Sequence, residues 1–440
     1  MNFRPPKRQM ITPDKTIAVI NASGRQAASF IRVATAVGYH VRAQLRNLEG
    51  VVAAEVATNP HVTVIQGELY TKEPQPAKVG QNQGNGHSQV GEVDVTNTGP
   101  NSGIGVNYDI IEKLFKGAQL AFINTTFYGD EVKIGQALAD AAKKYNVQHY
   151  IYSSMPDHHY YNKDWPSLPL WASKHKVEEY IRKLGLPATF VYAGIYNNNF
   201  TSLPYPLFCT EMQEDGSFVW QAPFHPDAKL PWLDAEHDVG PAILQIFKDG
   251  VKKWGGKRIA LAYEMLSPVE ACEVFSRGVG RPVRYKRGPI EVKVKIPEGY
   301  RCQLEALEQL FTLGGDDPAK QPPYFGDIEL EQSCPRVALE LWEGPRGLEE
   351  YAREVFPLEE QANGLTWMLE DEAKKNIRPP PIIGNGYLST LAEYHNLYQQ
   401  NGEIIINPQD PPDSEGEEYE EEEEGLVMRG LKRDDEEWLA

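Results

Sequence analysis

Residues 16–38 constrain the fold most, because a strand, a polar turn and a helix follow one another there without a linker. Thr16–Ile20 is a β-branched, apolar run typical of a buried strand. Asn21–Gln26 predicts a tight turn around Gly24, and Ala27–Val37 predicts a helix that ends at Gly38. The next strand, helix and strand are predicted over Tyr39–Leu45, Leu48–Ala57 and Val62–Ile65. This alternation of strands and helices predicts an α/β fold with a Rossmann-type, doubly wound parallel sheet.

The pattern continues after an interruption. Residues 71–106 are rich in Gly, Asn, Gln and Pro, so we expect a flexible surface insertion there. Ile110–Phe115 is expected to form the beginning of a helix. Further strands are predicted over Leu120–Asn124, His149–Ser153 and Thr189–Tyr192, with helices over Glu131–Tyr145 and Ser173–Leu184. We therefore predict one Rossmann domain over residues 15–196.

Beyond residue 196 the pattern is less regular and richer in proline and aromatic residues. Residues 197–370 predict a smaller, sequence-discontinuous α+β lobe, partly interleaved with the first domain. Its expected elements are short strands, helices over Asp238–Phe247, Pro268–Val279 and Leu348–Phe356, a loop over Asp316–Pro335, and a terminal segment over Leu358–Leu369. Residues 374–440 are Pro-rich and then acidic, and we expect a mostly disordered tail, in which Leu388–Ile406 has enough apolar residues to form a short element.

The charge of the chain limits its partners. The net charge is −18, and residues 408–440 carry fourteen acids and three bases, which leaves about −7 for the rest. The chain has no basic stripe for a phosphate backbone, so direct nucleic-acid binding is not expected, whereas a basic protein partner is compatible. The acidic run at 417–424 either mimics nucleic acid toward such a partner or is a solvated tail.

Two further sequence features exclude other classes. No run of about 18 apolar residues predicts a membrane span, and no apolar stretch follows the basic residues of positions 1–14, so we expect neither membrane association nor a signal peptide. Four cysteines lack CxxC spacing, which argues against structural zinc and disulfides and fits a reducing compartment.

The turn after the first strand predicts a phosphate site. Backbone N–H groups at a helix start attract a pyrophosphate, and a glycine at position 24 lets the backbone approach it. The turn is a degraded GxxGxxG pattern, with Asn21 and Ala27 where glycines would stand. An ordinary strand-to-helix turn is the alternative.

In such folds the residue at the end of the second strand distinguishes NAD from NADP. An acid there binds the ribose 2′-hydroxyl of NAD, and a base accommodates the 2′-phosphate of NADP. Arg46 stands there, and the first acid is Glu49. This favours tolerance of NADP, although a solvated surface arginine fits the same position.

Polar residues follow two later strands at the same carboxyl edge. Asn124, Thr125 and Thr126 are expected beside a bound ligand. Ser153–Asp157 is not a hydrolase nucleophile elbow. The adjacent His158 and His159 diverge and lack partners at ligand spacing, so we expect loop residues and no metal.

A proton donor is missing from the expected place. Short-chain dehydrogenases use a tyrosine four residues before a lysine, whose charge lowers the tyrosine pKa. The candidate lysine is Lys174, but Leu170 stands four residues before it, and Tyr160 and Tyr161 are too distant to share that helix face. Lys174 can still donate to ribose hydroxyls, or it is a solvated helix lysine. We predict a non-catalytic protein.

Several stretches together resemble a known family. They are Thr16–Ala28, Ala121–Thr126, His149–His158, Tyr192–Phe200 and Pro231–Pro241. Over about residues 16–369 the chain closely resembles the NmrA-like family, atypical short-chain dehydrogenase/reductases that include fungal regulators of nitrogen metabolite repression. The resemblance implies NAD or NADP binding without turnover, a negative role in transcription through a GATA-type zinc-finger activator, and a location in nucleus and cytoplasm.

The same resemblance implies which residues bind the cofactor. The implied set is Asn21, Ala22, Ser23, Gly24, Arg25, Gln26, Arg46, Glu68, Leu69, Asn124, Thr125, Thr126, Lys174, Tyr196, Asn197, Asn198 and Asn199. Residues 71–106 are expected beside the adenine-proximal side of this site. Two alternatives to a nucleotide-sensing repressor are an active NADPH-dependent reductase of the isoflavone-reductase kind and a scaffold with a structural nucleotide.

Overall fold

The computed structural model describes residues 13–71, 105–200, 210–292, 296, 298–362, 364–365 and 367–368. Its strands are β1 (Thr16–Val19), β2 (His40–Leu45), β3 (Val62–Gln66), β4 (Tyr70–Thr71), β5 (Gly105–Val106), β6 (Leu120–Ile123), β7 (His149–Ser154), β8 (Ala188–Ala193), β9 (Ile195–Tyr196), β10 (Thr210–Met212), β11 (Phe218–Ala222), β12 (Leu230–Leu233), β13 (Arg258–Leu261), β14 (Glu264–Leu266) and β15 (Val283–Arg287).

The helices are α1 (Arg25–Ala36), α2 (Val51–Thr58), α3 (Tyr108–Phe115), α4 (Glu131–Lys144), α5 (His158–Tyr161), α6 (Pro169–Leu184), α7 (Ala235–Asp249), α8 (Val251–Trp254), α9 (Pro268–Val279), α10 (Glu298–Thr312), α11 (Ile328–Gln332), α12 (Arg336–Leu341), α13 (Leu348–Glu354) and α14 (Phe356–Ala362). None of the helices in the described ranges is long and apolar enough to cross a membrane.

A seven-stranded parallel sheet forms the framework of the fold. Its strand order is β13-β8-β7-β6-β1-β2-β3, and every neighbouring pair runs parallel. β1, β6, β7 and β8 consist almost entirely of buried residues, as strands covered by helices on both faces must. The strand order reverses between β1 and β6, and this switch point is where open α/β sheets bind ligands. The predicted Rossmann-type sheet is confirmed.

Three smaller sheets accompany the large one. β10, β11 and β15 form one, β9, β12 and β14 form another, and the third is a two-stranded antiparallel ladder of β4 and β5. In that ladder Tyr70 pairs with Val106 and Thr71 with Gly105. The ends of the predicted insertion are therefore strands and not loop, while residues 72–104 lie outside the described residues.

Several predicted element boundaries were wrong. α1 starts at Arg25 and not Ala27, because Gly24 is already its N-cap. α6 starts at Pro169 and not Ser173, because a proline fits the first helical turn, where its missing N–H leaves no bond unmade. α7 starts at Ala235 because the Asp234 side chain caps it, and Pro241 does not break it.

Other segments were assigned to the wrong class. His158 and His159 begin the short helix α5, capped by Asp157, and do not lie in a loop. The predicted loop at Asp316–Pro335 contains a 3-10 turn and α11. β13, from the segment assigned to the smaller lobe, is the last strand of the large sheet. The division of the chain into two lobes stays a prediction.

Helices α1 and α7 approach each other closely. A Cβ added at Gly240 would lie 2.4 Å from the Ser29 carbonyl oxygen, so only glycine fits at this crossing. The Gly240 N–H also donates to the Ser29 hydroxyl, at 3.0 Å. α7 therefore fixes the helix that starts at the switch point.

A second compact unit begins at Pro357, within α14. Its described residues include Glu360, whose carboxylate accepts from the Trp367 indole N–H at 3.3 Å. The predicted element at 388–406 and the acidic tail lie outside the described residues.

Candidate dinucleotide-binding site

The N-terminus of α1 meets the requirements for an anion site. Gly24 is its N-cap with φ −68° and ψ 152°, no described side chain caps this end by a hydrogen bond, and the first turn holds no acid. The helix therefore presents backbone N–H groups and the positive end of its dipole. A Cβ at Gly24 would lie 3.2 Å from the Asn21 carbonyl oxygen, so the absence of a side chain keeps this approach open.

Asn21 shapes the turn before α1. Its φ of 47° is left-handed, a conformation that asparagine tolerates better than most residues. Its backbone N–H donates to Gln44 Oε1 at 2.9 Å, and its side-chain amide donates to the Asn124 carbonyl oxygen at 2.8 Å. Asn21 thus ties β1, β2 and β6 together where their carboxyl ends meet.

Gln44 belongs to this arrangement but was not among the predicted site residues. It is fully buried, and its side-chain amide donates to the Gly67 carbonyl oxygen at 2.7 Å. A polar amide among apolar residues late in a central strand was the signal for it, since a buried polar group must find partners.

A small cleft opens at the switch point. Six predicted residues line it: Asn21, Arg46, Glu68, Leu69, Thr125 and Thr126. Four further residues line it that the sequence reasoning missed: Gln44, Tyr70, Tyr128 and Ile134. Tyr70 directly precedes the predicted insertion, and the position of that insertion beside the site stays a prediction because residues 72–104 lie outside the described residues.

The remaining residues of the predicted turn have protein partners. The Ala22 N–H donates to the Gln44 carbonyl oxygen at 3.0 Å. The Arg25 guanidinium forms an ion pair with Glu236 of α7, and the Gln26 amide donates to the Tyr196 hydroxyl. In this structure the two side chains at the start of α1 connect it to its neighbours.

Lys174 is a partly buried, paired lysine and not a solvated one. Its side chain is 16% exposed, and its ammonium lies 3.0 Å from the carboxylate of Glu131, which is 1% exposed. It also donates to the Thr125 carbonyl oxygen. Glu131 accepts a hydrogen bond from the Thr125 hydroxyl as well, at 2.7 Å. Lys174 therefore stands at the carboxyl edge of β6, as a ribose-contacting lysine would.

The helix position one turn before Lys174 holds an apolar side chain. Leu170, buried on α6, lies one turn before it. Tyr152 reaches the lysine only through the Thr125 hydroxyl, 2.8 Å from its own. Burial raises the Tyr152 pKa well above its usual value, so the phenol is poorly suited to proton transfer at neutral pH.

The predicted residues 196–199 form the end of β9 and a 3-10 turn. Asn198 accepts from the Ala235 N–H at 3.1 Å and so supports the start of α7. The Asn197 side chain donates to the Arg346 carbonyl oxygen at 3.4 Å. Neither these two asparagines nor Tyr196 and Asn199 line the cleft, and their contact with a cofactor stays a prediction.

The two adjacent histidines differ in their surroundings, since His158 is buried and His159 is exposed. His158 is fully buried, its Nε2 lies 2.9 Å from the Pro323 carbonyl oxygen, and burial lowers its pKa to about 4. Across residues 13–71, 105–200, 210–292 and 298–362, no group of three His, Cys, Asp or Glu side chains could hold a metal ion.

A doubly wound parallel sheet with a glycine-led helix start at its switch point defines the Rossmann-type class of protein. Within that class, residues 13–352 match the NmrA-like family, and the chain belongs to it.

Named relatives agree with this assignment. The chain is 72% identical to the nitrogen metabolite repression protein nmr of Neurospora crassa, over 100% of this chain and 90% of the relative. It is also similar to two crystal structures of NmrA, a negative transcriptional regulator, one in complex with NAD and one with NADP. Each has 54% identity and a TM-score of 0.68, with 80% of this chain and 99% of the other covered.

Proposed function

We propose that this chain binds NAD and NADP in the cleft between β1, β2 and β6 and acts, without turnover, as a negative transcriptional regulator of nitrogen metabolism. The observation that carries the proposal is the start of α1 at Gly24, directly after the turn whose Asn21 lines a cleft at the switch point of the sheet. The solved relatives with NAD and NADP supply the ligand class, and the named relatives supply the role.

Calorimetric titration of the full chain with NAD and NADP tests the binding step. We expect saturable binding of both dinucleotides with one site per chain. Titration with the reduced forms tests whether the protein is a redox sensor, because a sensor must bind the two redox states with different affinity. Equal affinity for all four dinucleotides would favour the structural-nucleotide alternative.

The proposed partner is a GATA-type zinc-finger activator with a basic DNA-binding region. Support comes from the repression named for the relatives and from the net charge of −18, which complements a basic partner. Mixing the full chain with such a zinc finger should give a complex whose dissociation constant rises with salt. A DNA duplex offered in place of the zinc finger should not bind.

The proposed action takes place in the nucleus, with a further pool of the protein in the cytoplasm. A fluorescent fusion in fungal cells should therefore appear in both compartments. Fluorescence confined to the cytoplasm would contradict this part of the proposal.

An active reductase is the competing proposal, and the residues around Lys174 speak against it. Leu170 cannot transfer a proton, and the Lys174 ammonium is paired with Glu131. Purified protein should therefore leave NADPH absorbance constant across a panel of quinones, aldehydes and ketones. Steady NADPH consumption with any of them would refute the regulator without turnover.

A further inference from the structure

Arg46 lies over an aromatic ring at the mouth of the cleft. Its guanidinium carbon is 4.8 Å from the centroid of the Tyr128 ring, within the range of a cation–π contact. The two residues come from different loops, Arg46 directly after β2 and Tyr128 from the segment between β6 and α4. Both line the cleft.

The Tyr128 ring is held in place on its other sides. It stacks on Phe127 with centroids 4.7 Å apart and planes inclined by 29°. The next residue, Gly129, has φ +71°, and a Cβ there would lie 2.9 Å from the Tyr70 Cβ, so the turn fits closely against β4. Tyr128 is 9% exposed. A fixed ring of this kind can hold a flexible arginine in one orientation.

The Tyr128 hydroxyl has no hydrogen-bond partner among the described residues. The ring face, and not the hydroxyl, is therefore the part of Tyr128 that acts on Arg46. A phenylalanine would keep that face and lose no hydrogen bond within the described protein, which makes Tyr128→Phe a useful conservative variant.

Because of where Arg46 lies, its contact with Tyr128 affects the choice between NADP and NAD. The residue after β2 in a doubly wound fold lies near the ribose 2′ position, where an arginine pairs with a phosphate. Glu68 lines the same cleft, and a carboxylate there repels a phosphate dianion. Binding of a 2′-phosphate therefore depends on how the guanidinium is oriented between the two charges.

We propose that Tyr128 is the positioning residue that sets the preference of this chain between NADP and NAD, by holding the Arg46 guanidinium toward the adenosine 2′-phosphate. This inference rests on the proposed dinucleotide function of the cleft. The ligand group it recognises is the 2′-phosphate of NADP, since the 2′-hydroxyl of NAD offers no charge to the arginine.

Calorimetry with oxidised NAD and oxidised NADP on full-length variants tests the proposal, because the two ligands differ only at the 2′ position. Tyr128→Leu should raise the Kd for NADP about five- to tenfold and change the Kd for NAD less than twofold. Tyr128→Phe should restore the ratio of the two Kd values. Tyr108→Leu removes a half-exposed tyrosine of α3 that does not line the cleft, and it should change neither Kd.

A double-mutant cycle distinguishes an effect of Tyr128 through Arg46 from a general effect of Tyr128 on the structure. In an Arg46→Gln background the Kd ratio should already favour NAD, and adding Tyr128→Leu should change it no further. Equal weakening of NAD and NADP by Tyr128→Leu, an unchanged ratio, or a full additional effect in the Arg46→Gln background would each overturn the proposal. If wild-type protein bound neither dinucleotide, the proposed function itself would fail.

Discussion

Gly24 controls access to the start of α1 more directly than any other residue of the turn. Its φ and ψ of −68° and 152° are open to every amino acid, so a side chain there causes no backbone strain. The obstacle is space, because the added Cβ would meet the Asn21 carbonyl oxygen at 3.2 Å and further atoms would cover the N–H groups.

Gly24→Val should therefore raise the Kd for NAD at least tenfold, about 1.4 kcal/mol or more of lost binding free energy, while the fold persists. Gly347→Val is the matched control. Gly347 is also an N-cap glycine, with φ −69° and ψ 163°, and its Cβ would lie 3.2 Å from Glu264 Oε1; neither residue lines the cleft. Calorimetry that finds the same NAD affinity in both variants would count against the site.

His158 is a second residue whose surroundings have a measurable effect. It lies among Trp165, Trp171 and Phe311, and its Nδ1 has no partner among the described residues. The Pro323 carbonyl oxygen accepts from Nε2, so protonation would add a buried N–H at Nδ1 without an acceptor. This explains why burial lowers the pKa to about 4.

The pH dependence of stability follows from that pKa. Between the ordinary histidine value of about 6.5 and the folded value of about 4, the unfolded chain binds more protons, so stability falls as the pH drops through this window. From pH 7.5 to pH 5 His158 should contribute a loss of about 2 kcal/mol. Urea unfolding at both pH values should show a loss smaller by this amount in His158→Phe. An equal loss in both proteins would contradict the assignment.

At the scale of elements, the crossing of α1 and α7 couples the candidate site to the rest of the unit. Gly240→Ala forces the helices apart and should lower the free energy of unfolding by about 1–3 kcal/mol. Because α1 carries the anion site and Arg25 pairs with Glu236 of α7, the same change should weaken NAD binding.

Gly278→Ala provides the control for that experiment. A Cβ at Gly278 of α9 would lie 2.4 Å from the Glu349 carbonyl oxygen of α13, the same distance as at Gly240. It should cost similar stability and leave the Kd for NAD unchanged. If both variants, or neither, weakened NAD binding, the link between α7 and the cleft would be refuted.

The elements also show what a sequence can and cannot reveal. β1, α1 and β2 were predicted well because apolar residues, a glycine turn and a helical period follow each other directly. β13 was missed because four residues make a weak pattern, and its neighbour β8 ends at Ala193, far back in the chain. Short strands of this kind depend on tertiary pairing that periodicity does not contain.

The residues of the candidate site were likewise predictable only in part. Asn21, Arg46 and Thr125 follow strand ends and were predictable from position alone. Tyr128 was not, because it follows β6 by several residues and reaches the cleft only through the turn at Gly129. The pairing of Lys174 with Glu131 was also not predictable, since it joins two helices that packing alone brings together.

At the scale of the whole molecule, the candidate site and the acidic tail are separate in sequence. The residues lining the cleft lie between positions 21 and 134, and the family match ends at 352. Deleting residues 408–440 should therefore leave the Kd for NAD within twofold of the full chain. It should also remove a net charge of −11 and so weaken the salt dependence of any basic partner's binding. Weaker NAD binding by the truncated chain would mean that the tail contributes to the site.

The ladder of β4 and β5 has a practical use that concerns the whole molecule. Thr71 and Gly105 are directly paired, so the chain departs from and returns to the framework at neighbouring points. A fluorescent domain spliced between those points would need only closely spaced termini and would not have to stretch the framework. The splice point would adjoin Tyr70, which lines the cleft, so we expect the emission to report occupancy of the cleft in living cells.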